Sequence, residues 1–176
     1  LFMVQNFSKN NLLIFTNHSF KRYAERILIS DSVYREKLEK MFGHQYWLEH
    51  IMLSDLLHSE MAVGSQETKI MKDFVRGGSP SVWMENYGKG WVYYSNITGN
   101  AFICAKENPY LVVLTCFKYD SSKNLMNPAK WFYNRGMNSA VYKNYFQKAK
   151  NLISEYGIKS KTYKQNEIGY LNENQI

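Results

Sequence analysis

The apolar residues of this chain change from a helical period to short strand-like runs just after Pro80. Up to Gly77 they recur at spacings of three and four, which is typical of amphipathic helices. From Ser81 to Lys118 they form short runs rich in aromatic and β-branched residues, separated by Gly-Lys-Gly, Asn-Ile-Thr-Gly and Glu-Asn-Pro. Such runs with short links predict four consecutive strands in an antiparallel meander. We therefore expect an α+β fold with N-terminal helices, a four-stranded antiparallel sheet and a C-terminal amphipathic helix.

Capping residues and glycine breaks predict the bounds of these elements. Helices are expected over about 17–28, 32–43, 45–61, 65–75 and 138–156. Strands are expected over about 81–87, 91–95, 99–106 and 110–118. Residues 11–15 form a short apolar run, expected to be a strand or an extended lead-in, and residues 120–136 are expected to form a loop.

A length of 176 residues suits a single domain. We divide it into a helical part over about 17–77, a sheet over about 80–118, and a basic C-terminal helix and tail over about 119–176. The net charge is +7, and from Lys118 onward ten basic and four acidic residues account for +6 of it. This balance favours a polyanionic partner, nucleic acid first, although a basic protein without such a partner is the alternative. No apolar run approaches the ~20 residues of a spanning helix, so no membrane partner is expected.

The first helix brings a histidine and several charges together. Thr16 and Asn17 are both good N-cap residues, so the helix is expected to begin there. At about 100° per residue, the polar residues of the helix share one arc, and these are His18, Arg22, Glu25 and Arg26. The apolar residues are expected to face the core, and these are Phe20, Tyr23, Ala24 and Ile27.

These residues carry a resemblance to a known group of proteins. Thr16-Asn17-His18, followed by Arg22, Glu25 and Arg26, resembles the T-x-H-x-x-x-R-x-x-E-R helix that opens some small bacterial domains. Those domains continue into antiparallel strands and close on an apolar run ending in threonine, which here would be residues 111–115. They form the barnase, EndoU, colicin and RelE-like group of toxin ribonucleases.

The resemblance implies RNA cleavage without a metal or other cofactor. His18 would be the general acid or base, because an unperturbed histidine titrates near neutrality. Arg22 and Arg26 would hold the scissile phosphate, and Thr115 would add a hydroxyl donor. The resemblance also implies an acidic antitoxin or immunity protein as partner, and action in the cytoplasm of the producing or target bacterium. Because the first residue is Leu1, an upstream export signal stays open.

Further substrate contacts are expected from aromatic and basic side chains. Tyr93 and Tyr94 are expected to be exposed and to stack bases, while Lys143 and Lys150 of the last helix would contact the RNA. Basic residues near this helix are interleaved with rings at Trp131, Phe132, Tyr133 and Tyr142. The alternative is that these rings belong to the core and the lysines keep the surface soluble.

The same residues also fit a non-catalytic interpretation. His18 could be an ordinary helix-start residue, and Arg22 and Glu25 an i, i+3 ion pair on a solvated face. The chain would then be a binding module for nucleic acid or protein, such as a phage or mobile-element inhibitor of host defence. The two hypotheses differ in whether His18, Arg22 and Thr115 converge in one cleft.

Cysteine and histidine spacing argues against a metal site. Two cysteines form neither a disulfide framework nor a zinc motif, and His50 and His58 are eight residues apart rather than at the i, i+4 spacing of a helical zinc pair. If residues whose numbers sum to about 220 pair across the last hairpin, Cys104 faces Cys116 and residue 115 lies near residue 105. We expect these cysteines to be buried thiols rather than a disulfide.

Overall fold

A computed structural model of the chain describes residues 12–27, 32–44, 46–76, 91–107, 110–156 and 168–170. The strands are β1 (Leu12–Thr16), β2 (Glu60–Met61), β3 (Trp91–Tyr94), β4 (Asn100–Glu107), β5 (Tyr110–Lys118) and β6 (Ile168–Tyr170). Within the described residues they form one sheet in the order β2-β3-β4-β5-β1-β6. Helices pack on this sheet, so the predicted α+β class is confirmed.

The helices are α1 (Asn17–Arg22), α2 (Ser32–Phe42), α3 (Trp47–Leu57), α4 (Ser65–Arg76), α5 (Pro128–Asn134) and α6 (Ala140–Tyr156). A π-helical segment, Tyr23–Ile27, continues α1, and a short 3₁₀ turn, Gly136–Asn138, precedes α6. The predicted helix positions are confirmed to within a few residues, with one exception. The helix expected over 45–61 ends at Leu57, and its last two residues form β2 instead.

Residues 120–136 were predicted to be a loop, and this is wrong for their second half, which contains α5. The side chain of Asn127 accepts hydrogen bonds from the backbone N–H groups of Ala129 and Lys130, at 2.9 and 3.3 Å. Pro128 occupies the first helical turn, where its missing N–H is not needed. The proline that indicated a loop is therefore part of a helix start.

The sheet is mixed rather than wholly antiparallel. The predicted antiparallel order of β3, β4 and β5 is confirmed, whereas the strand expected over 81–87 lies outside the described residues. β1 pairs in parallel with β5, from Leu12 opposite Tyr110 to Phe15 opposite Val113. β6 pairs antiparallel with β1 on its other side. A strand from near each end of the described chain thus completes the sheet.

The observed pairing of β4 with β5 corrects the predicted cysteine register. Glu107 pairs with Tyr110, which moves the register about three residues from the expected one, and a β-bulge between Ile103 and Cys104 moves it back by one. Cys104 consequently lies opposite Val113 and Cys116 opposite Phe102, so the expectation that the cysteines face each other is wrong. Both thiols are buried and neither is in a disulfide, as expected.

Helix α3 is the centre of the main core. Apart from Leu48 and Glu49, every residue of α3 is buried, which marks it as a helix surrounded by protein. It packs in a cluster that includes Phe15, Phe102 and Val113 from the sheet. A second cluster, around Ile70 of α4, includes Ile103 and so lies on the other face of β4, because neighbouring strand residues point to opposite faces. No helix among the described residues is long and apolar enough to cross a membrane.

Candidate functional site

Helix α1 is attached to the sheet through its N-cap residue, Thr16, which is also the last residue of β1. Thr16 has extended backbone angles, and its hydroxyl oxygen accepts a hydrogen bond from the backbone N–H of Ser19 at 3.0 Å. The same hydroxyl lies 3.1 Å from the carbonyl oxygens of both Val113 and Leu114, to which it donates. A threonine in this position is both the N-cap and the bond to β5. The predicted cap is therefore confirmed, and it fixes where α1 begins relative to the central strands.

The inner side of α1 is held by two further polar contacts. The Cys116 thiol of β5 donates to the carbonyl oxygen of Ser19 at 3.3 Å. One turn later, the fully buried ring of Tyr23 stacks on Phe102, and its hydroxyl donates to Asp55 at 3.0 Å. These contacts attach α1 to the sheet and to α3 without using its outer side.

Asp55 is a buried carboxylate that connects three parts of the fold. It is 2% exposed and accepts hydrogen bonds from Tyr23, from the Thr98 hydroxyl at 2.7 Å and from the Asn100 amide at 2.7 Å. Burial raises the pKa of Asp55, and the hydrogen bonds act in the opposite direction. Burial, followed by the neighbouring Asp55, raises the pKa of the Tyr23 hydroxyl. The sequence signal for this residue was a single acid inside the apolar run from Ile51 to Leu57, which sequence analysis did not single out.

The outer side of α1 presents a histidine and an ion pair. His18 is half-buried, and Arg22 follows it by four residues, so the two side chains are neighbours on the helix surface. The Arg22 guanidinium lies 3.4 Å from the Glu25 carboxylate, with the two side chains 34% and 47% exposed. This is longer than the 2.7–2.9 Å typical of a tight charge-assisted hydrogen bond, so the Arg22 guanidinium is only loosely held.

The π-helical segment changes the predicted arc after Arg22. A π turn closes from i to i+5 rather than from i to i+4, so each later side chain is rotated relative to an α-helix. Ala24, expected to face the core, is exposed, and this part of the prediction is wrong. Arg26 lies in the π segment, and its side chain lies outside the described part of the structure.

Thr115 does not join His18 and Arg22. It is 3% exposed and pairs with Ile103, whereas its neighbour Cys116 contacts α1. Because consecutive residues of a strand point to opposite faces, Thr115 lies on the face of the sheet away from α1. The three residues therefore do not converge in the one cleft expected for a toxin nuclease, and only His18 and Arg22 lie next to each other.

The expected base-stacking tyrosines are in the core. Tyr93 is 1% exposed, and the buried Tyr94 donates its hydroxyl to Glu60 at 3.2 Å, so the expectation that they are exposed is wrong. The Tyr93 ring packs in the main core cluster on one face of the sheet, and the Tyr94 ring packs in the cluster around Ile70 on the other face. Lys143 is exposed on α6, and the side chain of Lys150 lies outside the described part.

The interleaved rings of the C-terminal region divide into two groups. The core alternative is confirmed for three of them, which are buried, and these are Trp131, Phe132 and Tyr142. Tyr133 is half-buried and packs edge-on against Tyr34 of α2. Only this ring of the four reaches the surface.

Histidines and carboxylates do not cluster as metal ligands in the described part of the chain. No group of three or more His, Cys, Asp or Glu side chains there could hold a metal ion. The Nδ1 atom of His58 is hydrogen-bonded to the carbonyl oxygen of Ser54 at 2.8 Å, and His50 is hydrogen-bonded to the Tyr142 hydroxyl. These two histidines therefore have partners within the helical layer.

Comparison with known proteins identifies no relative of this chain. No family model matches the chain, and neither a curated protein nor a solved structure is significantly similar to it.

Proposed function

We propose that this chain is an endoribonuclease of bacterial toxin type that cleaves RNA without a metal, with His18 and Arg22 at the centre of its site. The observation that supports the proposal is their position one turn apart on the outer side of α1. The two residues that flank this six-residue helix anchor it, Thr16 to the sheet and Tyr23 to α3. Such anchoring suits a catalytic pair, because a short helix would otherwise fray.

The chemistry that fits this pair is transesterification of the RNA backbone. A base removes the proton of the 2′-hydroxyl, the 2′-oxygen attacks phosphorus, and the 5′-oxygen leaves as an acid protonates it. His18 performs one of these proton transfers. Arg22 donates two hydrogen bonds to the phosphate as negative charge accumulates on it. Arg26, the second clamp in the resemblance, remains part of the proposal, whereas Thr115 is left out because of the face on which it lies.

The ion pair of Arg22 with Glu25 prepares the arginine for phosphate. The carboxylate keeps the guanidinium on the outer side of α1, and the 3.4 Å separation and partial exposure make the contact easy to exchange. A phosphate can then replace the carboxylate with a bidentate contact. An RNA-cutting chain of this kind would be neutralised by an acidic partner that covers the same cations, and it would act in the bacterial cytoplasm where its substrate is.

RNA cleavage in EDTA by the purified chain tests the proposal. We expect wild type to cut a broad RNA pool, and His18→Asn to lose about 10²- to 10⁴-fold in rate, the usual contribution of a general acid or base. Arg22→Lys should also be slow, because an ammonium cannot make the bidentate contact. Lys21→Gln is the matched control, since Lys21 is exposed on the same helix and has no role in the proposal.

Circular dichroism of all variants shows whether the fold is intact. A wild-type chain that leaves every RNA uncut would contradict the proposal, and cleavage that survives in a folded His18→Asn would remove His18 from it. RNA that is bound but not cut would favour the second candidate, a non-catalytic nucleic-acid-binding module.

A further inference from the structure

Two tyrosines and a lysine meet where α2 packs against α5. The rings of Tyr34 and Tyr133 are half-buried and lie edge to face, with centroids 5.6 Å apart. The Lys37 ammonium lies 5.0 Å from the centroid of the Tyr133 ring and 5.6 Å from that of Tyr34. One exposed cation is thus held against two aromatic rings, within the ~6 Å range of a cation–π contact.

Further cations flank these rings. Lys130 lies one turn before Tyr133 on α5, and Lys40 lies one turn after Lys37 on α2, and both are exposed. The acids of α2 do not face the two rings. Glu36 is two residues from Tyr34 and so on another side of the helix, one turn before Lys40, and Glu39 is bound to Arg35 at 2.9 Å. We call Tyr34, Lys37, Lys40, Lys130 and Tyr133 the α2–α5 surface.

We infer that the α2–α5 surface binds single-stranded RNA. Single-stranded nucleic acid is recognised by aromatic rings that stack on bases beside cations that contact phosphates, which is the combination present here. A base stacks on the Tyr133 ring as Lys37 turns from the ring face to the adjoining phosphate. Lys130 and Lys40 are then placed for the phosphates on either side.

A double helix suits this surface less well than a single strand. Its bases are already stacked on each other, so the tyrosine rings have no free base face to contact. The inference rests on the proposed function in that it names the form of the RNA substrate. It concerns binding alone, and it can be tested without cleavage.

Binding of a fluorescein-labelled single-stranded RNA of about 12 nucleotides, followed by anisotropy, tests the inference. The folded His18→Asn chain serves as the background, so that the RNA stays intact. In that background Tyr133→Leu should weaken binding by about 5- to 150-fold, the range that corresponds to one lost base–aromatic stack. Tyr133→Phe retains the ring and should bind as tightly as the background, which separates the loss of stacking from any loss of fold.

The contribution of Lys37 can be measured separately, from the salt dependence of RNA binding. Lys37→Gln should make the slope of log K against log salt shallower by about 0.7, as expected for one lost phosphate contact on a single strand. Lys72→Gln is the matched control, because Lys72 is exposed on α4, the helix that packs on the other face of the sheet. It removes the same charge and should change the slope less.

Four outcomes would overturn the inference. They are an RNA that does not bind, a paired duplex that binds as tightly as the single strand, a folded Tyr133→Leu that binds unchanged, and a Lys37→Gln that matches Lys72→Gln. The proposed function fails separately: RNA that binds with the expected dependence on Tyr133 but is never cut by wild type keeps the inference and rejects the nuclease.

Discussion

His50 allows the packing around α3 to be tested by pH. Its ring is 3% exposed, stacks on Phe42 with centroids 4.2 Å apart and meets the edge of Phe146. Its Nδ1 atom is hydrogen-bonded to the hydroxyl of Tyr142. Burial in these surroundings lowers the pKa of His50 from 6.5 to about 4, because the charged imidazolium is separated from water.

The sign of the effect follows from proton binding. Between pH 6.5 and about 4 the unfolded chain binds a proton at this histidine and the folded chain does not. The free energy of unfolding therefore falls as the pH is lowered through this window, and this contribution is constant below it. A change of about 2.5 pH units at 1.36 kcal/mol per unit amounts to about 3 kcal/mol.

We propose His50→Asn as the perturbation, because the asparagine amide can occupy the place of Nδ1 near Tyr142 but does not titrate. Lost ring packing lowers the stability of the variant by an amount that does not depend on pH. Urea unfolding of both proteins at several pH values gives the difference in their free energies of unfolding. We expect the advantage of wild type to shrink by about 3 kcal/mol between pH 7.5 and 4.

Other titrating groups are common to both proteins and cancel in this difference. Asp55 is one of them, and its raised pKa makes the folded state relatively more stable as the pH falls, opposite in sign to His50. A wild-type advantage that changes by less than about 1 kcal/mol would refute the reasoning. So would an NMR titration in which the His50 ring protonates near pH 6.5 in the folded protein, since it would mean that the ring is hydrated.

Two further sites give predictions of stability and reactivity. Asp55→Leu should lower the free energy of unfolding by about 3 kcal/mol or more, because three buried donors lose their acceptor, and Tyr23→Phe should cost only about 1 kcal/mol. Urea unfolding measures both, and equal losses would contradict the central role of the carboxylate. Cys104 and Cys116 should not react with a thiol reagent until the chain is unfolded, because both are buried and burial raises the pKa of the Cys104 thiol. Rapid labelling of the native protein would show that the sheet opens.

Local sequence signals predicted the helices and strands well, because the start and the periodicity of each element depend on residues close together in the chain. The N-cap at Thr16, the helix of residues 32–43 and the strand of residues 110–118 each depend on residues within a few positions of one another. The failures come from long-range contacts. The parallel pairing of β1 with β5 joins residues about a hundred positions apart, and nothing in either strand indicates its direction.

The candidate site was predicted only in part, because some of its features are local and others depend on long-range contacts. The spacing of His18 and Arg22 is a property of one helix and needed no tertiary information. The face on which Thr115 lies depends on a bulge, which shifts the pairing of a strand by one residue and exchanges its two faces. The role of Asp55 as a buried hydrogen-bond acceptor could not be predicted, because its donors lie 32, 43 and 45 residues away in the chain.

The position of β1 between β5 and β6 has a consequence for synthesis on the ribosome. β1 is made first among the described strands, but its parallel neighbour follows about a hundred residues later and its antiparallel neighbour, β6, later still. Chain segments emerge in order, and pairings between distant segments are slow because the intervening loop must close. The apolar residues of β1 are therefore unpaired until its neighbouring strands have been made. The start of α1, which Thr16 attaches to β5, likewise has no partner before β5 is made. The contacts that hold α1 reach residues up to Cys116, so the histidine and arginine of α1 come into place only after β5 has been made, and a nascent chain of the proposed nuclease would stay inactive until then.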